Sequence, residues 1–376
     1  MEQRIQFVMD VLDNTYSMSA LCRAYGVSRK TGYKWLFRYQ QGGLDALHDR
    51  SRAPHRHPQE IFLSVKQAIL AVKTRFPQWG APKIRARLKR EHPDWQRYPA
   101  VSAIGLFLHN QHLTHPRRRR HRASPTPVPL TDGRYVNQVW CADFKGYFRT
   151  QDGSRCNPLT ISDHASRYLL CCRHVDRMSH DPAKTCFQQA FRRYGLPEVI
   201  GTDNGSPFAS IGLAGLSRLS YWWIRLGICP ERIEPGHPEQ NGRHERMHKT
   251  LKAHTAAPSA KTLAAQQKCF DRFRREYNRQ RPHEALQMRT PSDYYHRSLR
   301  PYPKRLPPVW YPESMRVRRV RPNGEIKLDN KPLYLSQSLA RESVGIEQTD
   351  DDSSRLWYCD YLLGRIDHHK WAIIQA

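Results

Sequence analysis

Between Ala123 and Pro129 the chain cannot run as a helix. Prolines at 125, 127 and 129 remove alternate backbone donors, so the stretch must be extended, and arginines at 117 to 120 and 122 lead into it. With 376 residues, the chain also exceeds the size at which a single hydrophobic core keeps growing. A multidomain architecture follows.

The segment ahead of this break reads as short helices. Ile5, Val8, Met9 and Leu12 recur at helical spacing, residues 17–25 give a second helix, Gly26-Val27 a turn, and Ser28 a good N-cap for a third helix from Arg29. This is the rhythm of a helix-turn-helix DNA-binding domain over 1–50, whose third helix carries Arg29, Lys30, Lys34 and Arg38. A second helical DNA-binding domain is expected over 59–115, with Ile84 and Leu88 inward, and a basic proline-rich linker over 116–135.

Charge supports that reading. Residues 1–131 hold 23 basic and 8 acidic side chains, a net +15 out of +28 for the whole chain. The expected partner is therefore a polyanion, double-stranded DNA above all, because each neutralised phosphate releases condensed counterions. No apolar run approaches the roughly 18 residues of a membrane span. Neither a membrane nor a small-molecule substrate is expected, and the anticipated location is the cytoplasm, on the nucleoid.

The nine cysteines include no CxxC pair, and adjacent Cys171 and Cys172 suit neither a zinc knuckle nor an easy disulfide. Reduced, mostly buried thiols are the expectation. His55 with His57, and His109 with His112 and His115, lack a cysteine pair at a matching interval, so structural zinc is disfavoured.

From Val136 the pattern turns β-rich. Strands are predicted at 139–150, 158–162, 168–175, 198–201 and 228–233, with helices at 182–194, 213–226, 239–254 and 262–279. The result is a central α/β core over 136–295, a mixed five-stranded sheet flanked by helices. In the tail, 309–376, short alternating segments predict a small C-terminal β-barrel, with Asn323-Gly324 as a two-residue hairpin turn.

Three acids stand out in that core. Asp143 lies on a strand, Asp203 just past another strand's end, and Glu245 on a helix where Glu245, Lys249 and Lys252 share one face. Close carboxylates repel unless a cation intervenes, so Asp143, Asp203 and Glu245 are candidates both for catalysis and for metal ligation. Hard divalent cations, Mg2+ or Mn2+, suit such oxygen donors. Two ions about 4 Å apart would serve an in-line displacement at phosphorus. Arg117, Arg118, Arg119 and Arg120, with Lys249 and Lys252, extend the set of residues expected to grip DNA.

The runs Trp140-Cys141-Ala142-Asp143-Phe144-Lys145-Gly146, Thr202-Asp203-Asn204-Gly205-Ser206-Pro207-Phe208 and Pro238-Glu239-Gln240-Asn241-Gly242-Arg243-His244-Glu245 resemble the integrase core of bacterial insertion-sequence transposases, a group related to retroviral integrases. Tyr277 to Leu286 and Thr290-Pro291 resemble that family's post-catalytic segment. The resemblance implies a ribonuclease-H-like fold and magnesium-dependent DNA strand cleavage and transfer at element ends, by a homo-oligomer. The alternatives are a non-catalytic DNA-binding repressor derived from a transposase, and a ribonuclease-H-like nuclease without strand transfer. One departure needs resolving: the family's usual interval of 35 residues after Asp203 points to Glu239, whereas the motif points to Glu245. Glu239 follows Pro238 in a first helical turn, where a Glu merely suits the helix dipole. The run 210–216 accounts for the excess length, and Glu245 is preferred.

Overall fold

The computed structural model describes residues 2–49, 60–114, 130–210, 212–234, 237–350 and 352–375. They fall into two compact units, 1–63 and 64–376.

The first unit is helical, as its sequence predicts. Helices α1 (Glu2–Leu12), α2 (Met18–Ala24) and α3 (Arg29–Gly42) are followed by a 3-10 turn, Leu44–Leu47. The hydroxyls of Ser17 and Ser28 accept from the backbone N–H of Ala20 and Thr31, capping α2 and α3. Phe7, Val8, Leu21, Cys22 and Leu47 form the core. The helices meet closely at Gly32 of α3, where an added Cβ would lie 2.8 Å from both Cys22 Sγ and Phe7 Cζ. Gly32→Val is therefore expected to wedge α3 off α1 and α2 and to lower the melting temperature, costing about 1–3 kcal/mol. An unchanged melting curve would refute this account of the crossing.

The second unit opens with α4 (Leu63–Arg75), α5 (Ala81–Glu91) and α6 (Val101–Asn110). Ile69, Val72, Phe76, Trp79, Ile84, Leu88, Ile104 and Leu108 are buried there, including the two positions predicted to face inward.

The sheet follows. Its strands are β1 (Val139–Phe144), β2 (Phe148–Arg149), β3 (Arg155–Asp163), β4 (Leu169–Val175), β5 (Val199–Thr202) and β6 (Cys229–Arg232). The order is β4-β3-β1-β5-β6, with β2 against the start of β3. β3 runs antiparallel to both β1 and β4, whereas β1, β5 and β6 are parallel. The predicted mixed five-stranded sheet is present, with one change. A single strand over 139–150 was expected, but Gly146, at φ +77°, turns the chain and splits it into β1 and β2.

Helices cover both faces. Trp140 and Ala142 of β1 pack with α7 (His180–Tyr194) and α8 (Arg218–Arg225) through Phe187, Phe191, Leu219 and Trp223. On the opposite face, Leu169 and Cys172 of β4 pack with α9 (Gly242–Thr255) and α10 (Leu263–Arg279) through Met247, Leu251, Phe270 and Phe273. Alternation along β1 thus turns Asp143 toward α9.

The C-terminal segment is β-rich but does not close. Strands β7 (Arg316–Arg319), β10 (Ser343–Asp350), β11 (Ser353–Tyr358), β12 (Tyr361–Asp367) and β13 (Ala372–Gln375) form an open antiparallel sheet, β13-β12-β11-β10-β7. β8 (Glu325–Leu328) and β9 (Lys331–Tyr334) form a separate hairpin. In place of the predicted barrel there are two open sheets, because β7 pairs with β10 instead of β8. The tight hairpin turn is Asp329-Asn330, both at positive φ as a two-residue turn between twisted strands requires. Asn323-Gly324 instead separates two strands of different sheets. Leu213, Leu216, Tyr221 and Ile224, from the core's own chain, pack into this C-terminal apolar cluster with Leu339, Val344 and Tyr358.

Candidate active site

Strand register brings the two aspartates together. In the parallel pair β1–β5, Ala142 sits opposite Thr202, so Asp143 and Asp203 are the next residues along neighbouring strands and share a face. This is the carboxyl end of parallel strands, where α/β sheets open a crevice. The Asp203 carboxylate turns back to accept from Gly205 N at 3.1 Å.

Asp143 is largely buried, its side chain 14% exposed. Burial, and then the charge of Asp203, push its carboxyl up to about 7, well above the ordinary aspartate range. Asn241 Nδ2 donates to its Oδ2 at 3.2 Å, and His248 Nδ1 lies 3.6 Å from the same oxygen. A buried acid facing a second acid fits a cationic partner, and the two carboxylates fit a hard divalent ion.

Helix α9 closes the site. Pro238–Asn241 forms a 3-10 turn, and the α-helix begins at Gly242, later than the predicted 239. Glu245 stands one turn after Asn241 and three residues before His248, and both of those neighbours reach Asp143 Oδ2. It therefore lies on the strip of α9 that borders the aspartates. Its side chain is exposed rather than packed into the pair, as are those of Lys249 and Lys252 on the same strip. Glu239 belongs to the 3-10 turn ahead of the helix.

Sequence reasoning missed the layer beneath. Thr160 of β3, opposite Asp143 in the ladder, lies with its Oγ1 2.7 Å from His244 Nε2, 2.6 Å from His248 Nε2 and 3.1 Å from the Asp143 carbonyl oxygen. Ser162 Oγ lies 3.2 Å from His244 Nδ1. Burial holds both imidazoles far below the ordinary histidine range, His244 down to about 3 and His248 to about 2. The available signal was their spacing: histidines at i and i+4 face the same side of the helix, and His248 also falls on the strip that bears Glu245. Among the described residues, Asp143, His244 and His248 form the group of three or more metal-ligating side chains whose donor atoms cluster. Asp163, a further buried acid, is already occupied by the backbone N–H groups of Asn137 and Ser166 and by the Ser166 hydroxyl.

In the first unit, Arg29, Lys30 and Lys34 are exposed on α3, and Arg38 is half-buried. Tyr33 and Phe37 are exposed as well, at 57% and 62%, so Lys30, Tyr33, Lys34 and Phe37 form one basic and aromatic face at helical spacing. Nothing in the residue types alone distinguished these two rings from core aromatics. Arg117, Arg118, Arg119 and Arg120 lie outside the described residues, as do His55, His57 and His115. No helix among the described residues is long and apolar enough to cross a membrane.

Two models described as integrase core domain match residues 134–238 and 226–291. A helix-turn-helix domain matches 3–55 and a homeodomain-like domain 31–104. The chain is 28% identical over 246 residues to an insertion element IS407 protein of Burkholderia multivorans, an alignment that covers 63% of this chain and 82% of that one. It is 25% identical over 298 residues to the transposase InsD of insertion element IS2 of Escherichia coli, covering 74% and 91%. A stretch of 74 residues is 39% identical to the Gag-Pol polyprotein of baboon endogenous virus, covering 20% of this chain and 4% of that polyprotein. Among solved structures, the HTLV-2 integrase catalytic core domain in complex with magnesium aligns at 16% identity and a TM-score of 0.36, covering 44% of this chain and 100% of that one.

Proposed function

We propose that the chain is one of the insertion-sequence transposases with an integrase core, which it resembles, and that it binds the ends of a mobile element and cuts and joins DNA at Asp143, Asp203 and Glu245. The observation that carries the proposal is the pairing of Asp143 with Asp203 at the carboxyl ends of adjacent parallel strands, bordered by the α9 strip that bears Glu245.

Asp143, Asp203 and Glu245 would hold divalent magnesium or manganese ions, which supply activation of the attacking oxygen and stabilisation of the leaving oxygen at phosphorus. The protein's own groups do the rest. Asn241 fixes the Asp143 carboxylate by donating to Oδ2, and Lys249 and Lys252 line up beyond Glu245 to take phosphates of a bound strand. The helix-turn-helix domain recognises DNA, with α3 as the recognition helix. Two ends must be handled together, so the working form is an assembly of copies on element-end and target DNA.

The test is direct. Purified protein with Mg2+ and an element-end duplex is expected to nick it, and to join a precut 3′ end into target DNA. Nicking without joining would leave a nuclease, and binding with neither would leave a repressor. For the recognition helix, Lys30→Ala with Lys34→Ala is expected to weaken binding across sequences and to flatten the slope of log K against log salt by about 2. An unchanged slope would remove α3 from the interface.

A further inference from the structure

Among the described residues, one ring nitrogen of His248 has no hydrogen-bond donor facing it, and it faces the Asp143 carboxylate. The hydroxyl of Thr160 has three neighbours: the Asp143 carbonyl oxygen at 3.1 Å, His244 Nε2 at 2.7 Å and His248 Nε2 at 2.6 Å. A hydroxyl donates one hydrogen bond and accepts two, and a carbonyl oxygen only accepts. The assignment that makes all three contacts hydrogen bonds has Thr160 donating to Asp143 O and both histidines donating from Nε2. The second nitrogen of each ring then carries a lone pair. At His244 that lone pair accepts from Ser162 Oγ, 3.2 Å away, so both nitrogens of His244 are engaged. At His248 the corresponding nitrogen, Nδ1, faces Asp143 Oδ2 at 3.6 Å, lone pair toward carboxylate.

An imidazole nitrogen and a carboxylate oxygen at that separation repel each other without something positive between them. Two donors bonded to one ion at about 2.1 Å lie roughly 3.0–3.6 Å apart for bond angles of about 90–120°. The ring is only 5% exposed and is clamped by Thr160 through its other N–H, the arrangement by which proteins orient metal-binding histidines. Building on the proposed metal role of Asp143, we infer that His248 Nδ1 is an additional ligand to the ion held by Asp143, giving that site a nitrogen donor and a preference for Mn2+ over Mg2+. Imidazole suits transition metals, whereas Mg2+ favours oxygen donors alone.

The experiment uses the full chain with one equivalent of Mn2+ and pulsed EPR, which reads the hyperfine coupling of a directly bound 14N. Wild type is expected to show a single histidine nitrogen on Mn2+. That coupling should persist in His244→Gln and vanish in His248→Gln. Titration calorimetry should show Mn2+ affinity falling about tenfold in His248→Gln, with Mg2+ affinity changing less than about threefold. Bound Mn2+ that depends on Asp143 but shows no nitrogen coupling in wild type overturns the inference and leaves the proposed function standing. Mn2+ binding unaffected by Asp143→Asn overturns both. The wild-type spectrum needs no variant, so misfolding of His248→Gln would not block the decision.

Discussion

Asp143→Asn is expected to abolish Mg2+-dependent nicking and joining, by roughly a thousandfold or more, the equivalent of about 4 kcal/mol of transition-state stabilisation. The substitution keeps the shape and the Asn241 contact region while removing the charge. In EDTA the same variant is expected to be more stable than wild type. The folded-state carboxyl of Asp143 is raised from 3.8 to about 7, so the native protein binds this proton more tightly than the unfolded chain. Stability from this group is therefore present below pH about 4 and is lost as pH rises toward 7, with a ceiling of about 4 kcal/mol. Melting of metal-free wild type and Asp143→Asn from pH 4 to 8 should show the variant gaining on wild type across that window. Adding Mg2+ should then raise the melting temperature of wild type alone. Curves that stay parallel would mean that burial and Asp203 do not raise the Asp143 carboxyl as described above.

The second large effect separates two glutamates. Glu245→Gln is expected to lose at least about a hundredfold in nicking rate, whereas Glu239→Gln should stay within about threefold. The reason is placement on the helix: Asn241 and His248, the residues that flank Glu245 along its strip, both reach Asp143. DNA binding by both variants, measured without metal, should be unchanged, so that loss of rate is not loss of grip. Full activity of Glu245→Gln with an inactive Glu239→Gln would reverse the assignment.

What could be read from the residues alone was whatever depends on local pattern. The first three helices, the Ser28 cap and the mixed sheet follow from spacing and turn chemistry that act over a few residues. That Asp143 and Asp203 lie side by side was legible because strand ends of one sheet share a crevice. The His244–Thr160–His248 layer was not, since it joins a helix to a strand more than 80 positions away, a pairing no periodicity encodes. The C-terminal segment was recognised as β-rich, yet the hairpin expected at Asn323-Gly324 is not the pairing adopted. Asn323-Gly324 is a strong hairpin signal, but β7 lies beside β10. Pairing choice in a sheet is a tertiary matter, and turn residues only bias it.

The run that lengthens the interval between Asp203 and the helix has a consequence for handling the protein in pieces. Leu213 and Leu216 within it are buried in the apolar cluster of the C-terminal sheets, with Tyr221 and Ile224 of the following helix. A fragment ending near residue 295 would leave those four side chains in water as a contiguous sticky patch. Such a fragment should self-associate or precipitate even if its catalytic geometry survives. Distance in sequence between two acids here measures how far the chain detours to anchor another part of itself, and a soluble core needs either that anchor or polar replacements at 213, 216, 221 and 224.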